Sequence, residues 1–271
     1  MSARDQLVRI AAVARRDLRK ERTYQFRYVM WLFELAFTGI VVFHVGKLIT
    51  DTPALSAYRG RYFDFAMVGL AMMSVARLGV GTFSANILAE QSAGTLEILL
   101  VSPIRLGVFL AGSFIVPLLL TAVDLALYFG LGIGIVGHGL SGFGLVLAVP
   151  LVALTLATFC AFGILGAALG VLVKRGDPVS GPLLQLTSIM SGALFPVSVF
   201  PSPIRALARA FPAFYGITGV REALLGGAGV RDVLPEFVVL VCFVAVLLPL
   251  SLVAFERALA IARRTGVLAS Y

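Results

Sequence analysis

Histidine and cysteine are nearly absent, with two of each in a chain of 271 residues. His44 and His138 stand far apart in the chain, and no two carboxylates recur at helical spacing within an apolar run. The side chains from which a metal site or a hydrolytic centre is assembled therefore do not gather, which argues against a membrane enzyme acting on lipids. Cys160 and Cys242 both fall inside apolar runs, where a thiol behaves as a small apolar side chain, and no disulfide is expected. The GxxxxGK[ST] loop that cradles nucleotide phosphates is also missing. Gly130, Gly132, Gly134 and Gly137 are not followed by Lys-Ser or Lys-Thr and read as small residues for close helix packing. Charge is sparse too: 13% of residues are charged against 59% hydrophobic, a balance that leaves too little polar cover for a soluble domain.

What is present is a series of long apolar runs, at residues 28–50, 63–88, 106–136, 143–173, 179–200 and 235–256. Each has the roughly 20 residues needed to cross a hydrocarbon core of about 30 Å. The pattern predicts an all-α integral membrane protein with six transmembrane helices in a single domain: a cytoplasmic segment 1–27, a membrane domain 28–256 and a cytoplasmic tail 257–271. Cations set the orientation. If the N-terminus is inside, the outer segments hold Lys47, Arg59, Arg61, Arg205, Arg209, Arg221 and Arg231, and the inner segments hold about twice as many. Both termini are then expected in the cytoplasm of a multi-pass plasma-membrane protein. The net charge of +8 reports topology and anionic headgroups, and no compact basic domain exists to bind nucleic acid. The first apolar run is too long for a cleaved signal peptide and reads as a retained anchor.

Residues 3–22 place Leu7, Ile10, Ala14 and Leu18 at helical spacing beside Arg9, Arg15, Arg16, Arg19 and Lys20, the pattern of an amphipathic helix at a membrane surface. Ionisable groups inside the bilayer are functional candidates by default. Glu34 falls about 9 Å and Arg77 roughly 15 Å from the cytoplasmic ends of their helices, depths that permit an ion pair. Asp124 and His44 read as local hydrogen-bonding residues.

Residues 90–103 interrupt the apolar pattern with the string EQSAGTLEILLVSP. Gly94 breaks the incoming helix, Thr95 can cap a new one, and Glu97 suits that helix's N-terminal dipole. Leu96, Ile98, Leu99, Leu100 and Val101 give the new helix a greasy face, and Pro103 stops it. A connecting loop has no need of such a face, which suits docking into a groove on a partner. At the other side of the membrane, Phe200, Pro201, Ser202 and Pro203 lead into a second short helix, followed by Pro212, Tyr215, Arg221 and Gly226. Prolines at this density exclude one continuous spanning helix.

The string Glu90, Gly94, Thr95, Leu96, Glu97, Pro103 resembles the E-x3-GTLE-x5-P signature of ABC-2 type transporter permeases, the membrane subunits of one class of ATP-binding-cassette exporters. The proline-rich segment 200–226 is similar to the family's pair of short re-entrant helices, although Phe211 stands where a polar residue is the rule. The resemblance implies that residues 90–103, with Leu99, form a coupling helix against an ATPase subunit. It also implies that the first, second and fifth membrane helices line the pathway, which makes Phe33, Phe37, Gln185 and Met190 the expected substrate contacts. No cofactor is expected on this chain; ATP and Mg would be used by two copies of the partner ATPase, with a second permease, identical or paralogous, completing the complex. The expected cargo is an amphipathic drug-like or lipid-linked molecule, with a lipid-linked glycan as the alternative. An ion-coupled secondary transporter would call for paired acids near the midplane and an internal repeat, for which Asp124 alone is thin support.

Overall fold

The computed structural model describes residues 3–23, 25–49, 62–92, 106–136, 142–173 and 179–264. Within them the chain is helical with no strand. The elements are α1 (Ala3–Thr23), α2 (Gln25–Leu48), α3 (Tyr62–Ser92), α4 (Leu106–Val136), α5 (Gly142–Val173), α6 (Ser180–Met190), a 3-10 turn (Val197–Val199), α7 (Ser202–Arg209), α8 (Pro212–Leu224) and α9 (Val230–Arg264).

Among the described residues five helices, α2 to α5 and α9, carry apolar stretches of 23 to 33 residues. At 1.5 Å per residue these reach about 35 to 50 Å, enough to cross a bilayer. The expected span at 179–200 is not a continuous helix. α6 ends at Met190 after 11 residues, about 16 Å and half of a hydrocarbon core. Gly192 then turns the chain at φ +74°, a conformation open mainly to glycine, and Pro196 and Pro201 prevent the helix from resuming. Hydropathy over 179–200 could not register this break, because the turn residues are themselves apolar.

α3 is the spine of the bundle. Its most apolar stretch is 83% buried, against 17% for α2 and 11% for α9, so the outer helices leave apolar faces for lipid or another chain. α5 packs most extensively on α3 and α9, α4 lies on α3, and α1 lies across α4. Two clusters mark the two ends. Ile87 of α3, Phe109 and Leu110 of α4, Val171 of α5 and Ala262 of α9 gather at the end that α1 covers. Val68 and Met72 of α3, Leu151 of α5, Ile217 and Val220 of α8 and Leu240 of α9 gather towards the other.

Missing side chains bring the backbones together. A Cβ on Gly79 of α3 would stand 2.6 Å from Phe159 Cβ and 2.9 Å from the Cys160 nitrogen, and one on Gly163 of α5 would run into the Gly79 carbonyl oxygen. Gly112 of α4 admits α1, since a Cβ there would lie 2.7 Å from Val13 Cβ. A Cβ on Gly130, expected to serve such packing, would meet nothing within 4 Å; tight crossings among the described residues instead use Gly79, Gly112 and Gly163.

These contacts set a comparison between neighbouring glycines on one helix. Gly79→Val forces α3 and α5 apart and should lower the thermal unfolding midpoint of the detergent-solubilised protein by about 5 °C, as overpacking typically does. Gly81→Ala meets nothing within 4 Å and should hold the midpoint or raise it.

Candidate functional site

Two sites stand at opposite ends of α3. The first surrounds the charged insert. Gly94, Thr95, Leu96, Glu97, Leu99 and Pro103 lie outside the described residues, but both flanks of the insert are visible. Glu90, near the end of α3, receives Arg16 of α1 with Nη1 3.7 Å from Oε1. The same guanidinium sits 5.4 Å from the centre of the Phe109 ring at the start of α4, and its Nε donates to Asp17 Oδ1 at 2.9 Å. One arginine on α1 thus ties together the helix that enters the insert and the helix that leaves it. In the sequence Arg16 is one of five cations on a basic flank, and nothing there distinguishes it.

The second site is built on Arg221 of α8. This residue, counted among the outer cations from the sequence, is 2% exposed. Its Nε and Nη2 donate to the Phe65 carbonyl at 3.1 and 2.9 Å, Nη1 donates to Gly192 O at 2.8 Å, and Nη2 donates to Ala193 O at 2.6 Å. The guanidinium also stacks on the Phe65 ring, 3.4 Å from its centre. One side chain therefore joins α8, the first turn of α3 and the turn that ends α6. Gly69 makes this possible: a Cβ there would collide with the Ala193 oxygen and stand 2.7 Å from Arg221 Nη2. Gly69 carries no signal in the sequence beyond being one glycine in an apolar helix.

The proline-rich segment forms two short helices. Pro201 is the residue before α7, Pro203 lies in its first turn, and Pro212 opens α8. A proline in a first turn gives up an N–H that has no helical partner anyway. Tyr215 packs edge-on against Phe214 with ring centres 5.3 Å apart. Arg205 Nη2 donates to Ser198 O and Phe200 O, both at 3.0 Å, and holds the entry to α7. Between these elements lies a cavity of about 280 Å³, lined by Phe65, Ser191, Arg205, Arg209, Phe214, Thr218 and Arg221 among others.

The remaining expected residues are dispersed. Phe33 and Phe37 stack on each other at 6.2 Å on the exposed face of α2. Gln185 is exposed and Met190 half-buried on α6, and both helices pack on α3. Arg77 donates to Ser74 Oγ at 2.8 Å and also interacts with the Tyr128 hydroxyl, which the charges of Asp124 and Glu34 reach as well. Glu34 and Arg77 thus both lie within electrostatic reach of the Tyr128 hydroxyl. Asp124 accepts from Trp31 Nε1 at 2.7 Å and so links α2 to α4.

A carboxylate that sequence reading overlooked sits beside Arg221 in α8, outside the five long helices. Burial, and then the nearby carboxylates of Glu236 and Asp232, push Glu222 up to about 7. Its neighbour Glu236 has a buried Oε2 without a hydrogen-bond partner among the described residues. The signal in the sequence would have been the recurrence of acids at 222, 232 and 236 around a tight turn, which becomes a cluster only when α8 and α9 fold together.

Among known protein families, the one described as ABC-2 type transporter matches residues 9–225. No curated protein matches the chain.

Two measurements probe this end of the bundle. Arg221→Met leaves three carbonyls without their donor and should cost about 3 kcal/mol or more of stability. Arg221→Lys should fall nearly as far in a thermal melt, because one ammonium cannot span the same fan of acceptors. For Glu222, the folded state holds its proton to about 7, whereas an unfolded glutamate releases it near pH ~4.3. The folded state binds more protons between those values, so this residue's contribution is lost as pH rises through that window. Glu222→Gln should flatten that part of the decline and unfold at a higher temperature than the parent at pH 8.

Proposed function

The chain belongs to the ABC-2 type transporter family, and from that premise we propose that it is the permease subunit of an ATP-driven exporter whose ATPase is a separate polypeptide. ABC-2 membrane chains are the transmembrane permease components of ABC transporters. The finer reading concerns how work is delivered. Residues 90–103 dock on the ATPase, and the apolar side chains from Leu96 to Val101 provide the contact. Closure of two ATPase copies around ATP and Mg displaces this segment, and a pair of permease chains alternates between inward-open and outward-open states.

The observation that carries the reading is the position of Arg16. It bridges α1, the end of α3 at Glu90 and the start of α4 at Phe109, so a push on the insert moves three helices together rather than bending a loop. Coupling elements need that stiffness, because a compliant linker would dissipate the displacement before it reached the membrane. The long apolar helices with little burial, α2 and α9, provide surface for lipid and for the second permease chain. The cargo that suits an apolar lining with aromatic side chains is an amphipathic drug-like or lipid-linked molecule moved outwards across the plasma membrane, with both termini of the chain inside.

The test is co-purification. The unaltered chain should retain an ATP-binding subunit through affinity purification, and Leu96→Asp with Leu99→Asp should lose it while the permease still reaches the membrane. Equal retention by both would remove the coupling role of the insert. Arg16→Ala should keep the ATPase bound but lower transport several-fold for the same rate of ATP hydrolysis.

A further inference from the structure

We propose that the cavity between α6, α7 and α8 is an anion site that takes a phosphate group. The observation behind it is an arrangement of like charges that nothing in the cavity offsets. Arg205 and Arg209 are four residues apart on α7, one helical turn, which puts them on one face and makes them repel. Both line the cavity, and Arg221 closes it from α8. No carboxylate is found among the described residues lining it. Guanidinium stays charged at any physiological pH, so three cations converge on about 280 Å³.

The donors are divided in a way that suits a ligand. Arg221 spends its N–H groups on carbonyls and so supplies field more than contact. Arg205 uses Nη2 on two carbonyls, and its buried Nε has no hydrogen-bond partner among the described residues, so its charge is only partly compensated. Arg209, at the end of α7, is exposed and lines the cavity without a hydrogen bond or ion pair among the described residues, leaving its whole fork for a ligand. A tetrahedral oxyanion accepts two parallel bonds from the Arg209 fork, and a dianion balances two of the three charges, which favours phosphate over a carboxylate. The Phe65 and Phe214 rings and Thr218 beside the arginines leave room for a substituent on that phosphate. The group could be free phosphate or the headgroup of a phosphate-bearing lipid.

The test uses the full-length protein in dodecyl maltoside, a detergent without phosphate. One arm titrates inorganic phosphate by calorimetry; the other adds phosphatidic acid, with diacylglycerol as the control. Saturable binding in the first arm identifies free phosphate as sufficient, and binding of phosphatidic acid alone identifies a lipid headgroup. In whichever arm binds, Arg209→Gln should weaken binding about ten-fold or more, Arg209→Lys should weaken it less, and Arg231→Gln, outside the cavity, should leave it unchanged. On the unaltered protein the bound ligand should protect Arg209, but not Arg231, from phenylglyoxal. Absence of saturable binding in both arms, undiminished binding by Arg209→Gln, or labelling of Arg209 unaffected by ligand would each overturn the proposal. None of these readouts involves the ATPase, so they fail or succeed separately from the coupling experiment.

Discussion

In an apolar medium a helix cannot stop without exposing carbonyl oxygens that have nowhere to find water. The chain stops one at Met190, and the oxygens of the following turn, at Gly192 and Ala193, accept hydrogen bonds from Arg221. Much of one end of the bundle follows from that requirement. The guanidinium must be brought within reach, so α8 lies beside α6. It must be shielded, so it rests on the Phe65 ring and shares the Phe65 carbonyl. The backbone of α3 must come close enough for this, so position 69 carries no side chain. A cation near the end of α8 also faces the negative pole of that helix, which makes the arrangement self-consistent rather than merely tolerated.

The other end is organised by softer forces. Arg16 is partly solvated and its contact to Glu90 is long, so the bond itself contributes little stability. Its value is geometric: α1 is held against α4 by the close approach at Gly112, and Arg16 then reaches the two helix ends that flank the insert. The two ends communicate through α3, which is buried for most of its length and crosses α5 backbone to backbone at Gly79 and Gly163. Such glycine crossings leave little freedom for the helices to slide past one another, so α3 and α5 should behave as one rigid unit.

Much of this was legible in the sequence. The long helices followed from composition and run length, a helix over 3–22 from its spacing, and a short helix after Pro203 from its prolines, whereas the one that begins at Pro212 was implied only by the family resemblance. The functional family was carried by a few residues around Glu90 and Gly94. Three things were not legible. The early end of α6 was hidden because hydropathy averages over residues 191–200, which are apolar yet turn. The burial of Arg221 depends on partners 28 to 156 residues away, and no local pattern encodes them. Trp31 and Asp124 were likewise 93 residues apart, so Asp124 could be given a hydrogen-bonding role but no partner, and Glu34 and Arg77 could be placed by depth but not linked to Tyr128.

The shortness of α6 has a consequence for the lipid beside it. An 11-residue helix spans only about half of the hydrocarbon thickness, and the backbone groups of the turn that follows need hydrogen-bond partners that acyl chains do not offer. Wherever α6 meets acyl chains, a segment shorter than the hydrocarbon layer thins the bilayer locally, at a modest cost for each ångström of mismatch. A molecule with a charged head passing beside α6 would then have less apolar depth to cross than beside a helix of full length.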